Sequence, residues 1–426
     1  MIGHAAMRHV DRLVGVPLCA FLTGLQRLGR AFGGRAAGEG AEVRRILFVQ
    51  LAESGSMVLA DPAMRAVAAR SDARLHCLTF ARNRASLAIA GSIPDERVFG
   101  VRTDGVLSLL VDACRFLWWA RTMRIDAIVD LELFSRLSAA LCFLTGVRRR
   151  AGFHRFAGIG LYRGDLFSRP VAFDPRLHMA QNYMMLVDAL LRDGPAPLAV
   201  REMPVERLLP RVRRRIVEEA ERRAVHGKLR RLAPKTVEAG ARLVLVNANA
   251  SALLPQRRWP EERFVALIQA VLERFGDAQV LLIGAGEDRA TTMAVAGQVS
   301  DARCVDVAGQ FSLGELPALF ALAAAMVSND SGPAHFAAVT DLPVVVLFGP
   351  ETPTLFRPLG DATVLSAALP CSPCVNVNNQ RRTRCTNNLC MQGIAVDDVF
   401  AALCRVLGEP ALRGDAAREC PETVAA

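Results

Sequence analysis

The sequence predicts an α/β protein made of two doubly wound parallel-sheet domains, and three observations lead there. Strand-like apolar runs alternate with helical stretches in both halves, the mark of repeated βαβ units. The chain has 426 residues, more than the ~250–300 at which a single hydrophobic core usually stops growing. A stretch dense in Arg and Glu, residues 204–231, separates the two halves.

Taken in order, a Gly-rich stretch at 33–40 precedes the run ILFVQL at 46–51, which reads as a buried strand. Strand-like runs at 75–80, 98–101 and 127–131 alternate with helical patterns at 63–69, 106–121 and 134–144, and 179–191 adds a helix. Residues 211–223 carry charge on most faces and read as a solvated connecting helix. The second half repeats the scheme, with strands at 243–247, 280–284, 304–307, 324–327 and 344–348. Its helices are expected at 261–275, 290–299, 313–324 and 333–339, then 396–407. The expected divisions are a basic, amphipathic arm at 1–43, a first domain at 44–205, a charged connector at 206–240, a second domain at 241–395, and a closing helix and tail at 396–426.

The balance of 52 Lys+Arg against 42 Asp+Glu gives a net charge of +10 and favours anionic partners. With aromatics at 6% and only 2 Tyr, a base-stacking nucleic-acid surface is disfavoured, and anionic lipid or a phosphorylated saccharide fits better. Eleven Cys without a cleavable signal pattern point to a reducing compartment. No stretch has the ~18–20 uninterrupted apolar residues of a membrane span. Residues 14–25, bracketed by Arg12, Gln26, Arg27 and Arg30, read either as an amphipathic helix lying on a membrane surface or as an ordinary docking helix or disordered arm.

The most informative segment is SNDSGPAH at 328–335, between two strand-like runs. A strand that ends in small polar residues and enters a helix with Pro in its first turn leaves backbone N–H groups unpaired, which makes an anion cradle. Diphosphates are its common cargo in open α/β sheets. Ser331 and Gly332 offer amides, Gly332 lets the backbone come close, and His335 is placed to donate to a phosphate oxygen. Upstream, Asn247 to Ser251 close a strand ahead of Arg257-Arg258-Trp259-Pro260, with Trp259 and Pro260 opening a helix. Gly284-Ala285-Gly286-Glu287 is a further Gly-rich strand-to-helix turn. Asp61 before Pro62 reads as a helix cap. Arg148, Arg149, Arg150, Arg155 and Arg163 are candidates for holding phosphate or carboxylate groups. Cys371-x2-Cys374 followed by Cys385-x4-Cys390 could hold a structural zinc or form a disulfide.

The block SNDSGPAHFAAVTDLPVVVLFGPETPTLFRP resembles the donor-site signature of glycosyltransferase family 9, the heptosyltransferase-like enzymes of lipopolysaccharide core assembly. The resemblance extends to 247–264 and, more faintly, to 46–63. It implies the GT-B arrangement, two Rossmann-like doubly wound domains facing across a cleft. It implies that Asp330 accepts hydrogen bonds from donor hydroxyls, that Arg257 neutralises the departing nucleoside diphosphate, and that Glu287 lies near the donor nucleoside. Asn249 and Ser251 stand near the family's hydroxyl pair, which Ala252-Leu253 interrupt, and Gly284 belongs to the donor turn. The family's catalytic Asp follows a Gly matched here by Gly55, so Ser56 replaces it, and Glu53 is the nearest carboxylate able to serve as base.

Together these imply an inverting transfer of heptose or a related sugar from a nucleotide-sugar, ADP-heptose or similar, to a lipid-linked or lipopolysaccharide acceptor. The expected place is the inner face of a bacterial inner membrane, with peripheral contact to anionic lipid. No cofactor is expected, and no Asp-x-Asp pair lies at a strand end to hold a metal-bound diphosphate. Two alternatives stand beside this: a nucleotide-sugar-binding protein that has lost its base, and a sugar-nucleotide epimerase of the same fold.

Overall fold

The computed structural model describes residues 4–31, 43–51, 54–133, 135–155, 158–192, 209–233, 241–251, 254–379 and 381–408. The chain forms two compact units, Met1–Arg211 with Val377–Gln380, and Val212–Asn376 with Arg381–Ala426. In the first unit lie β1 (Arg45–Val49), β2 (Arg74–Phe80), β3 (Val98–Val101), β4 (Ala127–Asp130), β5 (Arg149–His154) and β6 (Arg169–Ala172). In the second lie β7 (Arg242–Asn247), β8 (Ala278–Leu282), β9 (Cys304–Asp306), β10 (Ala325–Asn329), β11 (Val344–Phe348) and β12 (Ala362–Ser366).

Both sheets are wholly parallel, in the orders β3-β2-β1-β4-β5-β6 and β12-β11-β10-β7-β8-β9. Counted from the start of each unit, both run 3-2-1-4-5-6, the Rossmann order, so the expected fold class of two Rossmann-like doubly wound domains is borne out. The strands are near-continuous apolar runs because helices cover both faces of a parallel sheet. In the second unit Phe264, Leu267, Ile268 and Val271, spaced along one stripe of helix Glu261–Arg274, pack on Val244, Val246 and Leu282. The order reverses between the first and fourth strands of each sheet. Connections leave in opposite directions there, and the strand ends of β1 and β4, and of β7 and β10, open to a ligand.

Several expectations are corrected. Residues 211–223 are not one helix: the helix begins at Glu219, runs to Leu232 and buries Val225 and Leu229. It packs within the second unit, where Lys228 pairs with Glu315 at 2.9 Å, because its two apolar residues one turn apart need a partner surface. Asp61 does not cap a helix. The helix starts at Ser54 and continues through Pro62 to Arg70, and Asp61 is buried inside it, paired with Arg65 Nε at 2.9 Å. β5, β6 and β12 were not anticipated. β5 opens with arginines, yet Arg150 is buried and its Nε donates to the Leu166 carbonyl at 2.8 Å, so it holds a loop and no ligand. Gly152 on β5 is required, since a Cβ there would stand 2.4 Å from the Phe167 ring. The 14–25 region lies within helix Gly15–Ala31, which docks Cys19 and Leu22 on helix Arg136–Leu144. The expected tail beyond residue 408 lies outside the described residues.

At the end of β4, Asp130 is fully buried. It accepts from Ser138 Oγ at 2.9 Å and from the Glu132 amide at 3.0 Å, and it pairs with Arg163 Nη2. Burial drives the Asp130 carboxyl above the usual range, while the Arg163 charge opposes this. Arg163, 1% exposed, also donates to the Glu132 carbonyl at 2.7 Å, so it ties the end of β4 together. Replacing Arg163 with Met leaves a buried carboxylate without its cation and should destabilise the protein by about 3–5 kcal/mol. Equilibrium denaturation would measure this, and a loss below about 1 kcal/mol would contradict it.

Candidate functional site

The switch point of the second sheet gathers most of the polar residues singled out in the sequence. Asn247 ends β7 opposite Ser328 on β10. The Asn247 amide donates to Ser328 Oγ at 2.9 Å and to Ser331 Oγ at 2.6 Å. Ser331 stands at the N-cap of helix Gly332–Phe336, where a serine hydroxyl ordinarily accepts from the first-turn amides. Here it makes no such bond. Its oxygen is turned toward Asn247, so the first-turn amides are left for another acceptor.

Neighbouring asparagines lock the two strand ends together. Asn329 accepts from the Trp259 amide at 3.0 Å and donates to the Ala248 carbonyl at 2.9 Å. Asn249 donates to the Ile283 carbonyl at 3.2 Å, tying the β7 end to the β8 end. Gly284 is needed beside it, since a Cβ would lie 2.6 Å from the Asn249 amide nitrogen and 2.9 Å from Asp288 Cβ. Trp259 is buried, stacked edge-on to Phe264 at 4.9 Å and bonded through Nε1 to the Ile394 carbonyl at 3.1 Å. The turn Pro255–Arg257 is thereby held against the site.

Arg257 is 7% exposed, and its Nη1 lies 3.5 Å from Asp330 Oδ2. That is long for a charge-assisted bond, whose usual length is about 2.7–2.9 Å. Its Nε is buried with no hydrogen-bond partner among the described residues. Beyond Asp330 lies a second buried pair that the sequence reading missed, Glu351 just after β11 with Arg381 Nε. Burial raises the Glu351 carboxyl, Arg381 and Arg257 oppose that, and Asp330 reinforces it, so the four groups form one charge cluster. A lone acid after Phe348-Gly349-Pro350 was the available signal for Glu351. Its partner lies in a loop and has no local marker.

His335 is buried in the helix that Ser331 opens. Ser251 is exposed just beyond β7, and Ala252-Leu253 fall outside the described residues. Glu287 is exposed in the turn Gly286–Asp288, where Asp288 and not Glu287 accepts from the Ala285 amide, at 2.8 Å. The zinc reading is not supported: among the described residues no group of three or more His, Cys, Asp or Glu could hold a metal ion. Cys374 donates instead to Thr383 Oγ1 at 3.6 Å, Cys385 to Asn387 Oδ1 at 3.3 Å, and Cys390 to Asn388 Oδ1 at 3.7 Å, while Cys371 is exposed and none of the four is joined in a disulfide among the described residues.

In the first unit, Glu53 lies outside the described residues. Ser56 is buried in the first turn of helix Ser54–Arg70. A carboxylate not foreseen, Glu132, sits at the switch point between β1 and β4, where it accepts from the Leu51 amide at 2.6 Å. Arg155 and Arg148 are exposed.

Residues 121–383 match the family model described as glycosyltransferase family 9 (heptosyltransferase). The chain is 33% identical over 108 residues to lipopolysaccharide heptosyltransferase 2 of Salmonella typhimurium, covering 25% of this chain and 30% of that one. To lipooligosaccharide heptosyltransferase 2 of Haemophilus influenzae it is 30% identical over 141 residues, covering 32% and 40%. These alignments thus span less than half the length of the curated relatives. Among solved structures, the E. coli ADP-heptose lipopolysaccharide heptosyltransferase II superposes with a TM-score of 0.64 at 21% identity, over 85% of this chain and 98% of that one. A family 9 glycosyl transferase from Veillonella parvula superposes with a TM-score of 0.66 at 17% identity, over 87% and 99%. At these identities the superpositions establish the shared fold.

The crowding at Gly284 gives a direct test of the site's packing. Gly284→Ala should cost about 1–3 kcal/mol in denaturant unfolding, because neither Asn249 nor the Asp288 Cβ can move without breaking a turn.

Proposed function

This chain belongs to glycosyltransferase family 9, and on that premise we propose that it is an inverting glycosyltransferase. It moves heptose or a related sugar from a nucleotide-diphosphate donor to a lipopolysaccharide-core or other lipid-linked acceptor, working peripherally at the cytoplasmic face of a bacterial inner membrane. The observation that carries this reading is Arg257, a buried guanidinium with an unused Nε, beside a helix start whose serine cap is turned away. Two sources of positive potential converge where a diphosphate would sit. The names of the matched relatives support ADP-heptose as the donor and lipopolysaccharide as the acceptor.

The acceptor hydroxyl loses its proton to a carboxylate as its oxygen attacks C1 of the donor sugar from the side opposite the diphosphate. The C1–O bond breaks, its electron pair leaves with the nucleoside diphosphate, and configuration at C1 inverts. Arg257 and the amides of Ser331 and Gly332 stabilise the charge that grows on the leaving group. His335 donates to a phosphate oxygen, Asp330 accepts from the sugar hydroxyls, and Glu287 accepts from the ribose, with Asn249, Ser251 and Gly284 shaping the pocket wall. Glu53 takes the proton in place of the family's Asp, whose position Ser56 occupies.

Calorimetry with ADP should give a saturable isotherm that Arg257→Ala weakens by about 10–100-fold, the loss of one or two charge-assisted hydrogen bonds. Product release from ADP-heptose and a lipopolysaccharide-core acceptor should fall by about 10²–10⁴-fold in Glu53→Gln, with ADP affinity unchanged. Full turnover in Glu53→Gln, with loss in Glu132→Gln, would move the base to the end of β4. Binding without turnover, whatever the donor, would favour a nucleotide-sugar-binding protein.

A further inference from the structure

A helix packed on the outside of a sheet turns its apolar stripe inward and its polar face to water. Helix Val106–Thr122 in the first unit violates this rule. Phe116 and Ala120 face the core, yet Leu107, Leu110, Val111 and Trp118 form a second stripe on the opposite side, with Leu107 75% and Trp118 69% exposed. Helix Gly15–Ala31 repeats the pattern. Cys19 and Leu22 are buried, while Phe21, Leu25 and Leu28, at the spacing i, i+4, i+7, face outward with Phe21 63% exposed. Both helices pack against helix Arg136–Leu144, so the two stripes belong to one side of the first unit.

The charges on this side are sorted. The acid on helix Val106–Thr122, Asp112, is buried and pairs with Arg102 at 2.8 Å. The acid of the neighbouring N-terminal helix His4–Leu13, Asp11, is buried as well, accepting from the Arg136 amide at 2.7 Å and pairing with its guanidinium at 3.1 Å. The arginines turn outward: Arg12, Arg27, Arg115 and Arg121 are all exposed, Arg27 with Asp165 as its partner and Arg115 with Asp112 at 3.5 Å. A face made of aliphatic and Trp side chains, ringed by more arginines than exposed acids, with Asp11 and Asp112 withdrawn and Asp104 and the half-exposed Asp165 left at its edge, complements an interface of acyl chains under anionic headgroups.

We propose that these two helices form a docking surface for an anionic lipid bilayer, the chain lying on the membrane through Phe21, Leu28, Leu107 and Trp118. This deepens the reading of a lipid-linked acceptor, and rests on it for its purpose, but can be tested without any sugar chemistry. The full chain should co-float with phosphatidylglycerol/phosphatidylethanolamine vesicles and not with phosphatidylcholine alone, and added salt should weaken the association. Phe21→Glu with Trp118→Glu should reduce flotation by roughly tenfold or more, with an unchanged circular dichroism spectrum. The single variant Trp118→Phe should keep the binding and lose a vesicle-induced blue shift of the tryptophan emission seen in the wild type.

No flotation of the wild type with anionic vesicles, or equal flotation of the double variant, would overturn the proposal. So would a wild-type dimer that the double variant disperses and that ignores vesicles, since the stripes would then meet a second copy. Transfer to a lipid-free acceptor should be unchanged in the double variant, and vesicle binding unchanged in Arg257→Ala. Failure of the docking surface is therefore distinguishable from failure of the transferase reading.

Discussion

The site depends on where one serine hydroxyl points. Ser331 occupies the position from which serine ordinarily closes off a helix N-terminus, but the Asn247 amide, reaching across from β7, holds its oxygen at 2.6 Å. The parallel pairing of β7 with β10 makes this reach possible, because it sets Asn247 opposite Ser328 with Ser331 only a turn further on. Strand order therefore does more than open a crevice. It brings a donor from one strand to disarm the cap that follows the other, and the amides beneath keep their capacity for an anion.

The two units share a topology and use a buried Asp–Arg pair differently at corresponding places. At the end of β4, Asp130 and Arg163 are sealed in and pair closely, and although Arg163 Nε, like that of Arg257, has no partner among the described residues, the Arg163 Nη atoms donate to Asp130, Ser138 and the Glu132 carbonyl. At the end of β10, Asp330 and Arg257 meet only at 3.5 Å, and Arg257 Nε has no partner among the described residues. A buried ion pair adds little to stability unless its remaining groups are satisfied. The first pair comes nearer to that condition, because its charges meet closely and both Nη atoms of Arg163 have partners, and it acts as structure. The second is held apart at 3.5 Å, and an anion that accepts from Arg257 would complete it. Glu351 and Arg381 stand behind it as a satisfied pair whose charges help set the field around Arg257.

How much of this could be read in the sequence follows from how far apart the participants lie. The cradle is contiguous, eight residues from Ser328 to His335, and its turn chemistry is local, so it was legible. Most of the strands that were found, β1, β2, β4, β7, β8, β10 and β11, are buried on both faces, where an apolar run is required, and the half-buried edge strands β3 and β9 showed only as short apolar runs. β5 begins with two arginines and β12 is a half-buried edge strand, so neither has that signature. The Arg257–Asp330 contact spans 73 positions, and the family resemblance placed both residues at the donor without pairing them. The helix through Pro62 was misread because proline marks a helix start by rule, while packing on both sides of Asp61 carried this helix past it. The charge-dense segment at 211–223 was misread for a similar reason, since Val225 and Leu229 are sparse in sequence yet sufficient to dock the helix that follows.

The most direct test is a crystal structure of the protein with ADP or a nucleotide-sugar bound. The diphosphate should accept from the Gly332 amide and from Arg257 Nε, with the Ser331 hydroxyl still held by Asn247. A ligand bound elsewhere, or a Ser331 hydroxyl swung round to cap its own helix with no phosphate near Arg257, would contradict the account.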